Sequence, residues 1–317
     1  MTTKQAWTAF WVLALIWGSS YMFIRIAVVQ LPPFQLVFIR TAMAAVGLNM
    51  VLWVRGKRLP VDGRSIRDLL FLGIVNTVFP FALISWGGKH IESSLSSVLQ
   101  GTAALFSLVV AHFAFADERI TGRKLAGLAL GFAGVVLLAS RSSDAPAIST
   151  STNNAGLYLL GQLAIVGASM CYAFGGSYSR KAMQHRLEPL AVSAGSMTVA
   201  AIVTGLVAYG WPELGGGPPV DLTQLQPRVL GAVLALGLLN TFVAYLIFYS
   251  LVAALGASRA SMITYVIPVV GLVLGALFLA EPVDARLIAG AALILGGIGV
   301  VNLKFRTGAA KPLRVTD

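Results

Sequence analysis

The sequence predicts an all-α integral membrane protein with ten transmembrane helices, arranged as two inverted five-helix repeats. Of its 317 residues, 57% are hydrophobic and 11% are charged, and the mean hydropathy is +0.82. A chain with this composition cannot bury its apolar side chains in a soluble core. Ten apolar runs of about 20 residues, the length that crosses a bilayer, are spread along it. The chain is therefore predicted to lie mostly within a membrane.

A repeat within the sequence supports this topology. Residues 73–77 read GIVNT and residues 237–241 read GLLNT, and Phe81 corresponds to Tyr245 at the same offset of 164 residues. Each half contains five predicted spans. Because five is odd, the second half enters the membrane from the opposite side, and halves related in this way are typical of transporters.

The first repeat is predicted at residues 1–140. Its first helix, α1, covers about Trp7–Val29, which is too long for the apolar core of a signal peptide. It ends before Pro32 and Pro33, which block the continuation of a helix. The remaining spans are α2 at about Phe34–Val54, α3 at about Leu69–Trp86, α4 at about Ser94–Phe115 and α5 at about Leu125–Ala139.

The second repeat is predicted at residues 156–303, after a polar linker at 141–155 that has no apolar periodicity. Its spans are α6 at about Gly156–Tyr178, α7 at about Leu190–Tyr209, α8 at about Val229–Leu251, α9 at about Ala257–Leu279 and α10 at about Leu287–Leu303. Residues 304–317 then form a tail.

The formal net charge of +11 is explained by membrane orientation. Most of the lysine and arginine residues fall on the side of the N-terminus, in the loops at 55–67, 119–124 and 180–186 and in the tail. Cytoplasmic loops carry such an excess, so both termini are predicted to be cytoplasmic. The basic excess therefore requires no nucleic-acid partner, and the expected partners are a small-molecule substrate and the lipid bilayer.

Polar side chains within the spans indicate where a pathway runs, because lipid offers them no hydrogen-bond partner. Asn76 and Thr77 lie near the middle of α3, and Asn240 and Thr241 lie near the middle of α8. The repeat predicts that they surround one axis. They either line a cavity or form hydrogen bonds between helices.

Two prolines lie close to further polar positions. Gln100 in α4 corresponds to Thr264 in α9, again near the middle of the membrane. Pro80 leaves the carbonyl of Asn76 without its helical donor, and Pro268 does the same for Thr264. These carbonyls are predicted to accept hydrogen bonds from an ammonium or hydroxyl group of a substrate, or from water that fills a kink.

Aromatic side chains gather at similar levels in four helices. They are Trp17 and Tyr21 in α1, Phe81 and Trp86 in α3, Tyr172 and Tyr178 in α6, and Tyr245 in α8, with Tyr265 following in α9. Such rings can bind apolar groups by stacking and cations through their faces. Trp17, Tyr21, Tyr245 and Tyr265 are predicted to line the pathway. Trp86 and Tyr178 either line it or anchor the helices at the membrane interface.

Arg40 is the one charged residue placed well inside a predicted span, about 10 Å along α2 from Pro33. A charge at such a depth requires an explanation. Arg40 either attracts a substrate carboxylate, or extends to the outer interface, or makes a structural bond.

Titratable groups and catalytic motifs are missing from the predicted spans. None of the twelve acidic residues lies in the middle of a span, and His112 is near the end of α4. Proton-driven transporters usually need such a group, so facilitated diffusion or exchange is predicted. The single cysteine, Cys171, excludes an internal disulfide and a cysteine metal cluster. No metal, cofactor or enzymatic activity is expected, and a channel remains the nearest alternative to a carrier.

Glycines are frequent in α5 and α10. Gly127 and Gly134 correspond to Gly290 and Gly297 at an offset of 163 residues. Small residues with this spacing let two helices approach closely. They indicate either packing within the chain or a homodimer contact.

The chain resembles the drug/metabolite transporter superfamily, and specifically its EamA-type ten-helix members. The resemblance covers nearly the whole chain and is carried by residues 16–20 (IWGSS) in α1, 33–40 (PFQLVFIR) in α2, 117–118 (DE) before α5, 280–282 (AEP) before α10, and Gly290, Gly296 and Gly297 in α10. It implies an exporter of small metabolites, such as amino acids and their analogues, in the cell (inner) membrane. It also implies a cavity between α1, α3, α4, α6, α8 and α9, with α5 and α10 at the periphery. A proton-coupled efflux pump is the alternative.

Overall fold

The computed structural model describes residues 1–115, 118–141, 155–185, 187–260 and 262–302, and ten apolar helices lie within these ranges. The first repeat contains α1 (Thr3–Ala27), α2 (Pro33–Val54), α3 (Gly63–His90), α4 (Ser93–Ala114) and α5 (Gly122–Ala139). The second contains α6 (Ala155–His185), α7 (Pro189–Gly210), α8 (Pro227–Leu255), α9 (Ile263–Leu279) and α10 (Ala285–Asn302). The predicted ten-helix membrane fold is confirmed.

Most helix ends agree with the predicted spans, but α3 begins earlier. It starts at Gly63, whereas hydropathy predicted a start at about Leu69. Asp62 accepts a hydrogen bond at 3.1 Å from the backbone N–H of Ser65. This cap satisfies one of the donors that a helix start leaves free, so the helix extends beyond the apolar window. Hydropathy alone does not show such an extension.

The start of α9 also differs from the prediction. A separate turn of helix, Ala257–Ala260, precedes the main helix, which begins at Ile263. Most of the predicted linker at 141–155 and the whole predicted tail at 304–317 lie outside the described residues.

The helix contacts show that the two repeats are related by a two-fold axis. Helix α1 packs against α8 and α9, and α6 packs against α3 and α4. Helix α2 packs against α7 and α8, and α7 packs against α2 and α3, while α4 contacts α9 and α5 contacts α10. If α1–α5 are exchanged in order with α6–α10, each of these contacts becomes either itself or another of the contacts just named. This is the relation that inverted repeats produce.

Two glycine contacts between α5 and α10 follow the same symmetry. A Cβ atom added to Gly127 would lie 2.6 Å from the carbonyl oxygen of Gly297, and one added to Gly134 would lie 2.8 Å from that of Gly290. The two contacts exchange when the repeats exchange. These glycines therefore allow close packing within the chain, whereas a contact between two copies through other faces of α5 and α10 stays a prediction.

Replacing Gly297 by alanine is expected to destabilise the α5–α10 pair. The added Cβ would lie 2.5 Å from the carbonyl oxygen of Gly127 and 2.7 Å from the backbone nitrogen of Gly131. Overpacking of this kind costs about 1–3 kcal/mol, so thermal unfolding should show a melting temperature lower by several degrees. Gly299→Ala is the matched control, because a Cβ there meets no atom within 4 Å. Equal melting temperatures for the two variants would contradict the contact.

Candidate functional site

The predicted polar residues lie in π-helical segments at the middle of α3 and α8. Asn76 and Thr77 are within Ile74–Val78, and Asn240 and Thr241 are within the equivalent segment of α8, Ala235–Val243. Each π-turn links a residue to the carbonyl five positions earlier, and π-turns occur often at functional sites. The repeat therefore places the same local irregularity at the same depth in both halves.

Proline is not the cause of these π-turns. In α3 the backbone N–H of Phe79 donates to the carbonyl of Ile74, immediately before Pro80. In α8 the position that corresponds to Pro80 is Ala244, and the π-helical segment is present there as well. The four-residue spacing of an α-helix would make Asn76 the residue whose carbonyl Pro80 releases, whereas the hydrogen bond just before the proline spans five residues.

Arg40 lies inside the bundle, where only 7% of it is exposed. Its Nε donates a hydrogen bond of 2.7 Å to Thr241 Oγ1, and its Cζ is 4.0 Å from the centre of the Phe81 ring. Arg40 thus joins α2, α3 and α8 rather than extending to the membrane interface. In the described part of the chain, no carboxylate lies within ion-pair distance of Arg40.

Three tyrosines lie within electrostatic range of this guanidinium. Tyr21, Tyr172 and Tyr245 are each close enough to interact electrostatically with Arg40. They come from α1, α6 and α8, so helices of both repeats meet here. We call Arg40, Phe81, Thr241 and these three tyrosines the Arg40 cluster. The sequence indicated Arg40 and the aromatic residues separately but not their contact, because a partner on another helix leaves no signal in sequence spacing.

Asn240 connects α8 to α1. Its Nδ2 donates to the backbone carbonyl of Ile16 and, at 3.1 Å, to Ser19 Oγ. Its Oδ1 is buried and has no partner among the described residues. Next to this contact, the ring of Trp17 lies 6.3 Å from the ring of Tyr245. Asn240 therefore forms the interhelical bond that was one of the two predicted roles.

The corresponding residues of α3 have different surroundings. Asn76 packs against α6 at Gly175, where a Cβ atom would overlap the Asn76 side chain. Thr77 is 1% exposed, and its hydroxyl finds no partner within the described residues. The two polar pairs are thus equivalent in position and different in bonding.

Helices α4 and α9 supply a second group of predicted residues. Gln100 is half-buried, and its Oε1 has no partner in the described ranges. Ser97 Oγ donates to the carbonyl of Pro268 at 3.2 Å, which ties the two helices together. Tyr265 is half-buried and Thr264 is exposed. Gln100 therefore keeps an available acceptor, whereas Pro268 takes part in helix packing.

Trp86 and Tyr178 lie away from the Arg40 cluster. The ring of Trp86 is 4.5 Å from that of His90, at the end of α3. Tyr178 donates a hydrogen bond of 2.6 Å to Asp68 near the opposite end of the same helix. Trp86 follows Phe81 by five residues in α3, and Tyr178 follows Tyr172 by six residues in α6, so each is roughly 8–9 Å along a helix from a member of the cluster. Within the described residues, no group of three His, Cys, Asp or Glu side chains is placed to hold a metal ion.

Ten apolar helices in two inverted repeats, with polar and charged groups at their centre, define a membrane transporter. Residues 6–140 and 159–303 match the EamA-like transporter family, and the chain belongs to that family.

Relatives with similar lengths support this assignment. An "Uncharacterized transporter" of Archaeoglobus fulgidus is 29% identical over 95% of this chain and 99% of its own. A "Probable amino-acid metabolite efflux pump" of Escherichia coli is 25% identical over 93% of this chain and 94% of its own, and a protein with the same name from Salmonella typhimurium is 25% identical over 96% and 97%. A solved crystal structure covers 95% of this chain and 97% of its own with a TM-score of 0.64 at 20% identity, which shows the same fold.

Replacing Asn240 by leucine is expected to lower stability more than replacing Gln100 by leucine. Asn240→Leu removes the amide that donates to the carbonyl of Ile16 and to Ser19 Oγ inside the bundle, and losing a hydrogen bond of this kind costs about 0.5–1.5 kcal/mol. Gln100→Leu removes an amide oxygen that bonds to none of the described residues. Thermal unfolding of both purified variants measures the difference. If both melted at the wild-type temperature, the structural role of Asn240 would be wrong.

Proposed function

We propose that this protein exports small metabolites that carry a carboxylate, such as amino acids and their analogues, by alternating access across the cell (inner) membrane. The observation that carries the proposal is the buried guanidinium of Arg40, which has an aromatic ring and a hydroxyl as partners and no carboxylate among the described residues. Helices of both repeats meet around it. Such a place is where inverted-repeat transporters bind substrates.

The electrostatics of Arg40 favour an anionic ligand. A buried charge without an opposite charge is costly, and Phe81 and Thr241 orient the guanidinium without neutralising it. Thr241 engages only Nε. The two terminal nitrogens remain for a carboxylate, which arginine binds in a bidentate manner. A substrate carboxylate would therefore supply the missing charge, while Phe81 and the tyrosines of the Arg40 cluster would contact its apolar part.

The relatives support the substrate class and the direction. Two of them, from Escherichia coli and Salmonella typhimurium, are named for the efflux of amino-acid metabolites. The basic loops around Lys57 and Lys124 support cytoplasmic termini, because such loops face the cytoplasm. The names of these relatives are the support for transport from the cytoplasm to the outside.

The positions of the carboxylates favour facilitated diffusion or exchange. In the described ranges, the acidic side chains lie in loops or near helix ends; Asp68 bonds to Tyr178, and Glu92 bonds to Tyr158. None of these described acids contacts Arg40. A proton-coupled cycle needs a titrating group in contact with the binding site, and the Arg40 cluster contains only arginine, threonine and aromatic side chains.

Counterflow in proteoliposomes tests the role of Arg40. Vesicles loaded with unlabelled amino acids should take up the same labelled compounds, and Arg40→Gln should reduce this exchange by roughly 10- to 100-fold, because a charge-assisted hydrogen bond contributes about 1.5–3 kcal/mol. Arg40→Lys should retain part of it, because the charge remains and the planar fork is lost. Arg228→Gln, at an exposed arginine in the first turn of α8, is the matched control.

Two further measurements complete this test. Arg40→Gln should melt at or above the wild-type temperature, because it removes a buried unpaired charge; full counterflow by this variant would contradict the proposal. The second measurement adds and then collapses a pH gradient. Uptake by the wild-type protein that required the gradient would overturn facilitated diffusion in favour of proton coupling.

A further inference from the structure

Equivalent glutamates lie on opposite faces of the bundle. Glu281, in the loop before α10, corresponds to Glu118, in the loop before α5, at an offset of 163 residues. Each comes three residues before the N-cap of the next helix, Asp284 or Thr121. We call the face where α3 ends and α4 begins the Glu281 face, and the opposite one the Glu118 face. The two glutamates make different contacts.

Glu281 holds the start of a helix from the other repeat. Its Oε1 accepts a hydrogen bond of 2.7 Å from the backbone N–H of Ser93, and its Oε2 accepts one of 2.8 Å from that of Ser94. These are among the N–H groups that α4 cannot satisfy itself, and a carboxylate at a helix start is also favoured by the helix dipole. The contact fixes α4 of the first repeat to the α9–α10 loop of the second.

The backbone before Glu281 is strained. Ala280 has a φ of 52°, the positive value that residues with a side chain seldom adopt. Positive φ at a non-glycine residue persists only where the surrounding contacts hold it. Ala280 ends α9 in a left-handed turn in which the backbone N–H of Glu281 donates to the carbonyl of Gly275 at 3.3 Å. This turn places Glu281 beside the start of α4.

Other bonds between the repeats lie beside this contact. Tyr158 donates a hydrogen bond of 2.9 Å to Glu92, and Arg141 Nε donates one of 2.7 Å to Asp284. Partial burial raises the pKa of Asp284, but the backbone N–H of Leu287 and the guanidinium of Arg141 outweigh it and hold that pKa below its ordinary value. Asp284 therefore stays ionised throughout the physiological pH range, and the Glu281 face is closed by bonds between the repeats.

With the described residues, Glu118 makes only long ion pairs on the opposite face. It lies 3.6 Å from Lys124 Nζ and 3.8 Å from a terminal nitrogen of Arg180, and its side chain is 38% exposed. Ion pairs with this much exposure contribute little, because water and salt screen them. The structure thus combines a firmly bonded glutamate on one face with a loosely held one on the other.

We propose that Glu281 is the latch of a gate, which closes the Glu281 face by holding the start of α4 and opens once in each transport cycle. Glu118 secures the opposite face in the alternate state, so the two carboxylates engage in turn. Repeat symmetry requires this exchange, because inverted halves that swap conformations also swap their contacts. The inference rests on the proposed alternating-access function.

Distances between spin labels test the latch without any substrate. One label pair, at Lys89→Cys and Val283→Cys, reports on the Glu281 face, and a second, at Arg119→Cys and Met262→Cys, reports on the Glu118 face; all four side chains are exposed. Both pairs are placed in a Cys171→Ala background. Double electron–electron resonance then compares the label distances in Glu281→Gln with those in the wild type, and Glu118→Gln is the matched control.

Glu281→Gln should increase the ratio of long to short distances between positions 89 and 283 by about tenfold, the effect of losing a charge-assisted hydrogen bond. The distance between positions 119 and 262 should shorten in the same variant. Glu118→Gln should leave the first pair unchanged. Unchanged distances in Glu281→Gln, or a change confined to the first pair, would mean that the contact is a static brace and would overturn the latch.

A second variant covers the case in which Glu281→Gln does not fold. Arg141→Gln removes the neighbouring bond to Asp284 and should shift the same distances in the same directions, by less. Because no substrate is involved, reciprocal distance changes together with absent counterflow would contradict the proposed function and leave the latch standing. Counterflow together with unchanged label distances would support the proposed function and overturn the latch.

Discussion

The buried guanidinium of Arg40, in contact with Thr241 and Phe81, is the constraint that the centre of this bundle has to satisfy. It brings together α2 and α3 of one repeat with α8 of the other, at the level of the two π-helical segments. A guanidinium in a membrane interior cannot remain there without ordered partners. The π-turn positions the Thr241 hydroxyl, which also donates to the carbonyl of Leu236, so that it can accept from Arg40. Local backbone geometry and the buried charge thus support each other.

The two repeats share one backbone architecture, but the side chains at their centres differ. Counting from the prolines that open α2 and α7, the counterpart of Arg40 is Ser196, which is also buried. The counterpart of Thr241 is Thr77, whose hydroxyl has no partner among the described residues. Thr241 accepts from Arg40 and donates to the carbonyl of Leu236, and the absence of a second arginine accounts for the first of these two differences only. A substrate would therefore meet one charged wall and one neutral wall, which gives a symmetric scaffold a directional binding site.

The sequence predicted those features that depend on local pattern or on repetition. Hydropathy located ten helices, and the repeat placed Asn76 and Thr77 at the same depth as Asn240 and Thr241. The π-turns were not predictable, because α3 contains Pro80 and α8 contains Ala244 at the equivalent position. The bond of Arg40 to Thr241 and the contact of Glu281 with α4 were also missed, because both join residues more than 180 positions apart.

The aromatic residues that the sequence singled out fall into two groups in the structure. Tyr21 and Tyr245 lie in the Arg40 cluster, and Trp17 lies beside Tyr245, whereas Trp86 and Tyr178 contact His90 and Asp68 outside it. An interfacial role for Trp86 and Tyr178 stays a prediction. Depth along a helix was readable from the sequence. The contacts of each side chain depend on which helix lies next to it, and the sequence does not show this.

The central claim is that Arg40 receives a carboxylate from the substrate. The most direct measurement compares counterflow of amino acids with counterflow of their carboxamides, which differ only in that group, through the unmodified protein. The account predicts that each transported amino acid exchanges at least about tenfold faster than its amide, because the amide cannot form the charge-assisted bond. Amides that exchange as fast as their parent acids would contradict it.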